Sequence, residues 1–162
     1  MKKIRIIFLF LSLIFSSSLL SQKIICHPTS HPYECLILHA VVEKYVCDTN
    51  VLILYNGNEI LAQSIHGITN KYNDNIYEIS LSYYSRNYMD RIWTLLHECG
   101  HLIDMLNGDL KINPYYWKGE KIDKDIPYYE RPWEINAEKW AKVLFFSVVI
   151  DTLEDISEES KD

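Results

Sequence analysis

Hydrophobic residues recur every three to four positions in three stretches of the chain, and this period predicts amphipathic helices. The first stretch covers about 33–47. The second covers about 87–106 and is followed by Asn107 and Gly108, a typical end for a helix. The third covers about 132–150 and begins at Pro132, a residue favoured in the first helical turn. The spacing therefore predicts one helix near the N-terminus and two in the second half of the chain.

Three segments between the first two helices carry the pattern of β-strands. Residues 51–55 (VLILY) and 59–65 (EILAQSI) are rich in apolar side chains and are separated by Asn-Gly-Asn, a typical turn sequence. Residues 76–83 (IYEISLSY) alternate strictly between the two faces of a strand. These segments predict a short antiparallel sheet, and the whole pattern predicts an α+β fold.

The length of 162 residues allows one domain with a hydrophobic core and is too short for two ordinary domains. Residues 109–128 show no regular pattern apart from a predicted hairpin turn about Lys118 and Gly119. A loop of this length in a small domain is usually functional or mobile. We assign the folded domain to residues 22–150 and expect the acidic residues 151–162 to form a solvated tail.

The first 21 residues have the order of a secretory signal peptide: a basic start, a ten-residue apolar run and a small, polar end. The alternative is an uncleaved membrane anchor, although the apolar run is short for a bilayer-spanning helix. The formal charge is −6, and removing Lys2, Lys3 and Arg5 with the signal peptide would make it −9. This charge excludes a basic surface for nucleic acid. The sequence therefore predicts an acidic, secreted or extracytoplasmic protein.

The segment LLHECGHLID, residues 95–104, places reactive side chains within the second predicted helix. His97 and His101 are four residues apart, so both imidazoles leave the same face and can share one metal ion. Glu98 lies about 100° around the helix, where it can reach a metal-bound water instead of the metal itself. This division between two ligands and one general base is the reason for the HExxH spacing of zinc hydrolases.

A third ligand is predicted in the segment ERPWEINAEKWA, residues 130–141. Glu134 is the acidic residue on a helical face that otherwise carries small and aromatic side chains. Two histidines and one glutamate would leave a fourth zinc position open for water. Gly100 costs the second helix about 1 kcal/mol relative to alanine, so we expect another element to approach it closely.

These motifs together resemble the gluzincin type of zincin metallopeptidases, in particular the small ImmA/IrrE-like and lethal-factor-type peptidase domains. The resemblance covers about residues 76–145 and includes RIWTLLHECGHLID, the strand before it and RPWEINAEKWA. It implies a zincin-like domain in which His97, His101 and Glu134 bind one zinc ion and Glu98 is the catalytic base. Cys99 departs from the aliphatic residue common at its position, and a signal peptide is unusual among the mostly cytoplasmic ImmA/IrrE-like proteins.

The resemblance also implies a group that stabilises an oxyanion, since zincins often use a tyrosine or a histidine for this purpose. His66 and the tyrosines of PYYW and PYYE are candidates, and among them we select Tyr129 because it stands closest before the Glu134 helix. Asp104 and Glu138 are alternative hydrogen-bond partners for a ligand imidazole.

Export would make the four cysteines candidates for disulfides. A continuous helix would separate Cys35 and Cys47 by about 18 Å, too far for a bridge. Two arrangements remain: Cys26–Cys35 with Cys47–Cys99, or Cys26–Cys47 with Cys35–Cys99. We predict two disulfides, one of them with Cys99, whose helical phase points away from the metal. A second metal site formed by Cys26, His27, His31 and Cys35 is the alternative use of the N-terminal cysteines.

The functional prediction is a secreted zinc metallopeptidase that hydrolyses a peptide or protein substrate. We expect residues 76–83 to form one wall of the cleft and to pair with an extended substrate. We expect membrane contact only if the N-terminal segment stays attached. The alternatives are a zinc-containing protein that binds a partner without catalysis, and a toxin-like protease directed at one target.

Overall fold

The computed structural model describes residues 24–46, 50–62, 64–82, 87–123 and 125–150, and these form helices packed on two small sheets. This confirms the predicted α+β class. The predicted signal peptide and acidic tail lie outside the described residues. The elements are β1 (Ile24–Cys26), α1 (Pro32–Tyr45), β2 (Leu52–Glu59), β3 (Gly67–Lys71), β4 (Ile76–Ser82), α2 (Tyr88–Leu106), β5 (Leu110–Lys111), β6 (Tyr116–Trp117), β7 (Glu120–Lys121), a 3₁₀ turn (Tyr128–Glu130), α3 (Pro132–Leu144) and a π-helical turn (Phe145–Val149).

The larger sheet has four strands in the order β1-β2-β4-β3 and is mixed. β1 and β4 both pair parallel with β2, and the antiparallel pair is β3 with β4. The prediction of an antiparallel sheet was therefore wrong for two of the three pairings. The reason is topological: α1 connects β1 to β2, and β3 lies between β2 and β4 in the chain, so both parallel pairs are joined by a crossover element.

The predicted Asn-Gly-Asn turn was also wrong, because these residues belong to β2. The loop before α1 binds them: the Gly57 amide donates to Ser30 Oγ at 2.9 Å, and the Asn58 side chain donates to the Thr29 carbonyl. Polar residues can remain in a strand when another segment satisfies their hydrogen bonds. The predicted strand over 59–65 was wrong as well, since β2 ends at Glu59 and β3 begins at Gly67.

The predicted helices were confirmed. Asn87 caps α2, because its side chain accepts a hydrogen bond from the Asp90 amide at 2.9 Å. At the other end Gly108 adopts a φ of 77°, a conformation that favours glycine. The predicted hairpin was also confirmed: Lys118 and Gly119 have φ values of 51° and 85° between β6 and β7. β5 extends this hairpin into a second sheet of three strands.

α2 lies at the centre of the fold, with the larger sheet on one side and α3 on the other. Its side chains Leu95, Leu96 and Leu102 are fully buried in the core. α3 comes close where α2 has no side chain: a Cβ on Gly100 would lie 2.9 Å from Trp140 Cβ and 3.0 Å from the Ala137 Cα. The close approach expected at Gly100 is therefore present, and it brings the two helices together beside HExxH.

A buried ion pair holds the first turn of α2 against α1. The Arg91 guanidinium donates to both carboxylate oxygens of Glu34, from Nε at 2.6 Å and from Nη2 at 3.1 Å. The Tyr55 hydroxyl also donates to Glu34, at 2.5 Å, and the Glu34 side chain is completely buried. Gly57 leaves the necessary space, since a Cβ there would lie 2.6 Å from Glu34 Oε2. The sequence analysis did not detect this network.

The structure decides part of the cysteine prediction. Cys26 and Cys35 form a disulfide between β1 and α1, as in the first of the two predicted arrangements. The predicted disulfide of Cys99 was wrong: this residue is a free thiol, fully buried in the core, where burial raises its pKa. Its phase was predicted correctly, since it points into the hydrophobic core, but Cys35 is already bonded to Cys26. Cys47 lies outside the described residues.

The disulfide also removes the alternative of a second metal site at the N-terminus. Cys26 and Cys35 use their sulfur atoms for each other, and Nδ1 of His27 lies 2.9 Å from the Thr29 hydroxyl. A disulfide is compatible with an extracellular location. In the ranges that the structure describes, every helix is too short or too polar to span a membrane.

Candidate metal centre

His97, His101 and Glu134 lie together where α2 and α3 pack against each other. Nε2 of His97 lies 3.1 Å from Oε2 of Glu134, and Nε2 of His101 lies 3.3 Å from the same oxygen. Each residue offers one ligand atom, and these atoms all lie within 4.8 Å of one another. The structure thus brings the three predicted ligands into one group with the spacing of a metal site.

The protonation of Glu134 suits a metal ligand. Burial would raise the pKa of this carboxyl, but hydrogen bonds to His101 and His97 hold its pKa well below the usual range. Burial would likewise lower the pKa of His97, but the hydrogen bond to Glu134 and the nearby carboxylates raise it. The carboxylate is therefore ionised, as metal ligation requires, and a bound cation would replace imidazole protons as its counter-charge.

Trp133 fixes the orientation of Glu134. Its indole Nε1 donates a hydrogen bond to Glu134 Oε1 at 3.1 Å, which leaves Oε2 directed at the two imidazoles. The Trp133 ring is buried and stacks on Tyr115, with ring centroids 5.2 Å apart and planes at 6°. Tyr115 belongs to the segment between β5 and β6, so the irregular part of the chain supports the third ligand. The sequence analysis missed this role, although Trp133 stands beside Glu134.

Asp104 and Glu138, the two predicted hydrogen-bond partners of a ligand imidazole, lie differently relative to the Nδ1 atoms of the histidines. Glu138 Oε1 lies 3.3 Å from Nδ1 of His97, but the angle of this contact is not that of a hydrogen bond. Nδ1 of His101 is buried and also has no hydrogen-bond partner in the described residues. Asp104 binds α3 instead: it accepts hydrogen bonds from Asn136 at 2.9 Å and from Trp140 at 3.1 Å. Glu138 thus lies beside His97 without a hydrogen bond to it, whereas Asp104 joins the two helices.

Glu98 lies beside the ligand group and is held by the sheet. The Thr69 hydroxyl lies 2.7 Å from Glu98 Oε2 and 3.0 Å from the Glu98 carbonyl. Burial raises the pKa of Glu98, and the imidazoles of His101 and His97 and the Thr69 hydroxyl oppose this increase. A carboxylate with a raised pKa accepts a proton more readily than an exposed one, which suits a general base.

The structure does not bring Tyr129, the predicted oxyanion group, into the site. Its side chain is 74% exposed, on the outer side of the 3₁₀ turn. The side chain of the neighbouring Tyr128 is 57% exposed, but its hydroxyl reaches the site and lies 3.4 Å from Nε2 of His97. Burial and a hydrogen bond to Glu134 raise the pKa of Tyr128, so the hydroxyl keeps its proton and can donate. The 3₁₀ turn thus brings the hydroxyl of the first tyrosine of PYYE to the site and leaves the second tyrosine outside it.

A cleft of about 440 Å³ opens over His97 and Glu98. The segment before β3, with His66, forms one wall, and Trp93, Tyr128 and Glu138 line the rest. The predicted pairing of residues 76–83 with a substrate was wrong, because β4 is paired with β2 on one side and β3 on the other. The edge strand next to β4 is β3, and its first residue, Gly67, lines the cleft.

Comparisons with known proteins return no family model, no curated protein and no solved structure that matches this chain. The interpretation of the site therefore rests on its own geometry.

Proposed function

We propose that the protein is a secreted zinc metallopeptidase of the zincin type. The observation that carries this proposal is the convergence of His97, His101 and Glu134 on one point, with Glu98 beside them at an open cleft. Two imidazoles and one carboxylate form a ligand set of catalytic zinc, and they leave one position open. The disulfide and the basic, apolar N-terminal sequence support export.

Zinc bound by these residues would acidify a water molecule and polarise the substrate carbonyl. Glu98 would accept the proton of the attacking water and transfer it to the leaving amine. The Tyr128 hydroxyl would donate a hydrogen bond to the oxygen that gains negative charge. The Glu138 carboxylate, 3.3 Å from Nδ1 of His97, would favour a proton on that nitrogen through its charge and so keep Nε2 available for the metal.

The position of the sheet beside the cleft favours a peptide as the substrate. β3 is an edge strand, and Gly67 and the residues before it lie in the wall of the cleft. An extended peptide can bind such an edge through main-chain hydrogen bonds, which suits substrates of varied sequence. The edge would place the peptide backbone beside His97 and Glu98.

The proposal predicts proteolysis that depends on a metal ion. The purified protein should cleave a mixture of denatured proteins, lose this activity with a chelator of divalent metals, and regain it when zinc is added. Peptide products identified by mass spectrometry measure the cleavage, and the same preparation without the protein is the control. A protein that binds zinc but cleaves no substrate would contradict the proposed enzymatic function and favour a zinc-containing binding protein.

A further inference from the structure

The edge strand β3 contacts Glu98 at two positions that lie on the same face of the strand. Thr69 donates from its hydroxyl to Glu98 Oε2, at 2.7 Å. Gly67 lies next to the other oxygen: a Cβ built there would be 2.8 Å from Glu98 Oε1 and 2.8 Å from Glu98 Cγ. Residues two apart on a strand point to the same side, so one strand face meets both oxygens of the carboxylate.

These two contacts have opposite effects on the carboxylate. The hydroxyl of Thr69 is buried, and its shorter contact engages Oε2 in a hydrogen bond. The missing side chain of Gly67 leaves space at Oε1, on the side where Gly67 and Glu98 both line the cleft. Gly67 has no left-handed backbone conformation, so its lack of a side chain is explained by the close approach of Glu98 and of Thr94, whose Cγ2 would also lie 2.8 Å from a Cβ there.

We propose that β3 positions the catalytic base: Thr69 fixes Oε2 of Glu98, and Gly67 keeps Oε1 open as the atom that receives the proton. This inference rests on the proposed peptidase function. Thr69 and Gly67 are positioning residues, since they would act through Glu98. The Glu98 side chain has several rotatable bonds, and these two contacts would make it present one defined oxygen to the reacting water. Loss of such an orientation typically lowers the rate by about 10²-fold.

Three substitutions test the positioning role in the zinc-loaded protein. Thr69→Val removes the hydroxyl at nearly constant volume and is expected to lower kcat by about 10²-fold, with the KM and the bound zinc unchanged. Thr69→Ser keeps the hydroxyl and should restore most of the activity. Gly67→Ala fills the space at Oε1 and should also lower kcat. Thr29→Val, which removes an exposed hydroxyl that contacts His27, is the matched control.

A measurement on the metal-free protein tests the contact without relying on activity. Urea unfolding of Thr69→Val, Glu98→Ala and the double variant forms a double-mutant cycle. Thr69→Val should lower the unfolding midpoint more in the wild-type background than when Glu98 is already alanine, where the contact of the hydroxyl with the backbone carbonyl of residue 98 remains. Additive shifts would overturn the contact, whatever the protein hydrolyses.

The two measurements separate the failure of this inference from that of the proposed function. A non-additive cycle together with a selective loss of kcat that serine restores supports the positioning role. A non-additive cycle with normal hydrolysis by Thr69→Val overturns it and leaves the peptidase intact. If the wild-type protein hydrolyses nothing, the proposed function is refuted, and a non-additive cycle then makes the contact purely structural.

Discussion

Replacing Glu98 with glutamine is expected to lower kcat by roughly 10²–10⁴-fold, the usual contribution of a general base. Glutamine has nearly the same shape, and its amide oxygen can still accept the hydrogen bond from Thr69. It cannot accept a proton from water. The three ligand residues are untouched, so the variant should keep its bound metal. The loss would therefore report the chemical role of one carboxylate, without a change in the fold or the metal site.

The measurement compares steady-state hydrolysis of one peptide with the metal content of each preparation. Glu120→Gln, which neutralises an exposed acid on β7, is the matched control and should behave like the wild type. A Glu98→Gln protein that holds zinc and hydrolyses the peptide as fast as wild type would contradict the base assignment. Loss of zinc from this variant would instead show that Glu98 belongs to the ligand set.

Replacing Glu34 with alanine is expected to lower the free energy of unfolding by about 3–5 kcal/mol, as is typical when one partner of a buried ion pair is removed. The change leaves the Arg91 guanidinium, whose side chain is 10% exposed, without its counter-charge. It also removes the acceptor of the Tyr55 hydroxyl. Arg91 lies in the first turn of α2, so the destabilisation would begin at the helix that carries HExxH.

Urea unfolding measures this prediction, and the exposed pair of Lys71 and Asp74 provides the control. Asp74→Ala should leave the unfolding free energy nearly unchanged, because exposed ion pairs contribute little. Equal effects of the two substitutions would contradict the buried network described around Glu34. A change in unfolding without a change in the metal content of folded protein would show that the network stabilises the fold and does not bind the metal.

Local signals predicted the helices and the ligand group well. HExxH needs only helical geometry to place His97 and His101 on one face, and the phase of the last helix selected Glu134 from the acids around it. Gly100 signalled a close approach because glycine weakens a helix interior, and the structure places Ala137 and Trp140 there. These features depend on residues within a few turns of one another.

The failed predictions concern contacts between distant segments. Asn-Gly-Asn is a turn sequence in isolation, but here it continues β2 because the loop at Thr29 and Ser30 satisfies its polar groups. The parallel pairing of β2 with β4 cannot be inferred from strand patterns alone, since alternation does not encode direction. The position of Cys99 on its helix predicts that the side chain faces the core. This orientation is equally compatible with a disulfide and with a free thiol. Tyr128 and Tyr129 are adjacent tyrosines in the sequence, and only the 3₁₀ turn that contains both decides which hydroxyl reaches the site.

The most direct test of the account is the metal content of the purified protein, measured by elemental mass spectrometry after dialysis against zinc-buffered solution. We expect about one zinc ion per wild-type chain, the normal content of a mononuclear site. His101→Ala and Glu134→Ala should each weaken binding by more than about 100-fold, since losing even an outer hydrogen-bond partner of a ligand costs 10–100-fold. His27→Ala, which changes an exposed histidine, should retain the ion. A wild-type protein that binds no metal, or variants that bind it as tightly as wild type, would contradict the proposed centre and the hydrolysis that depends on it.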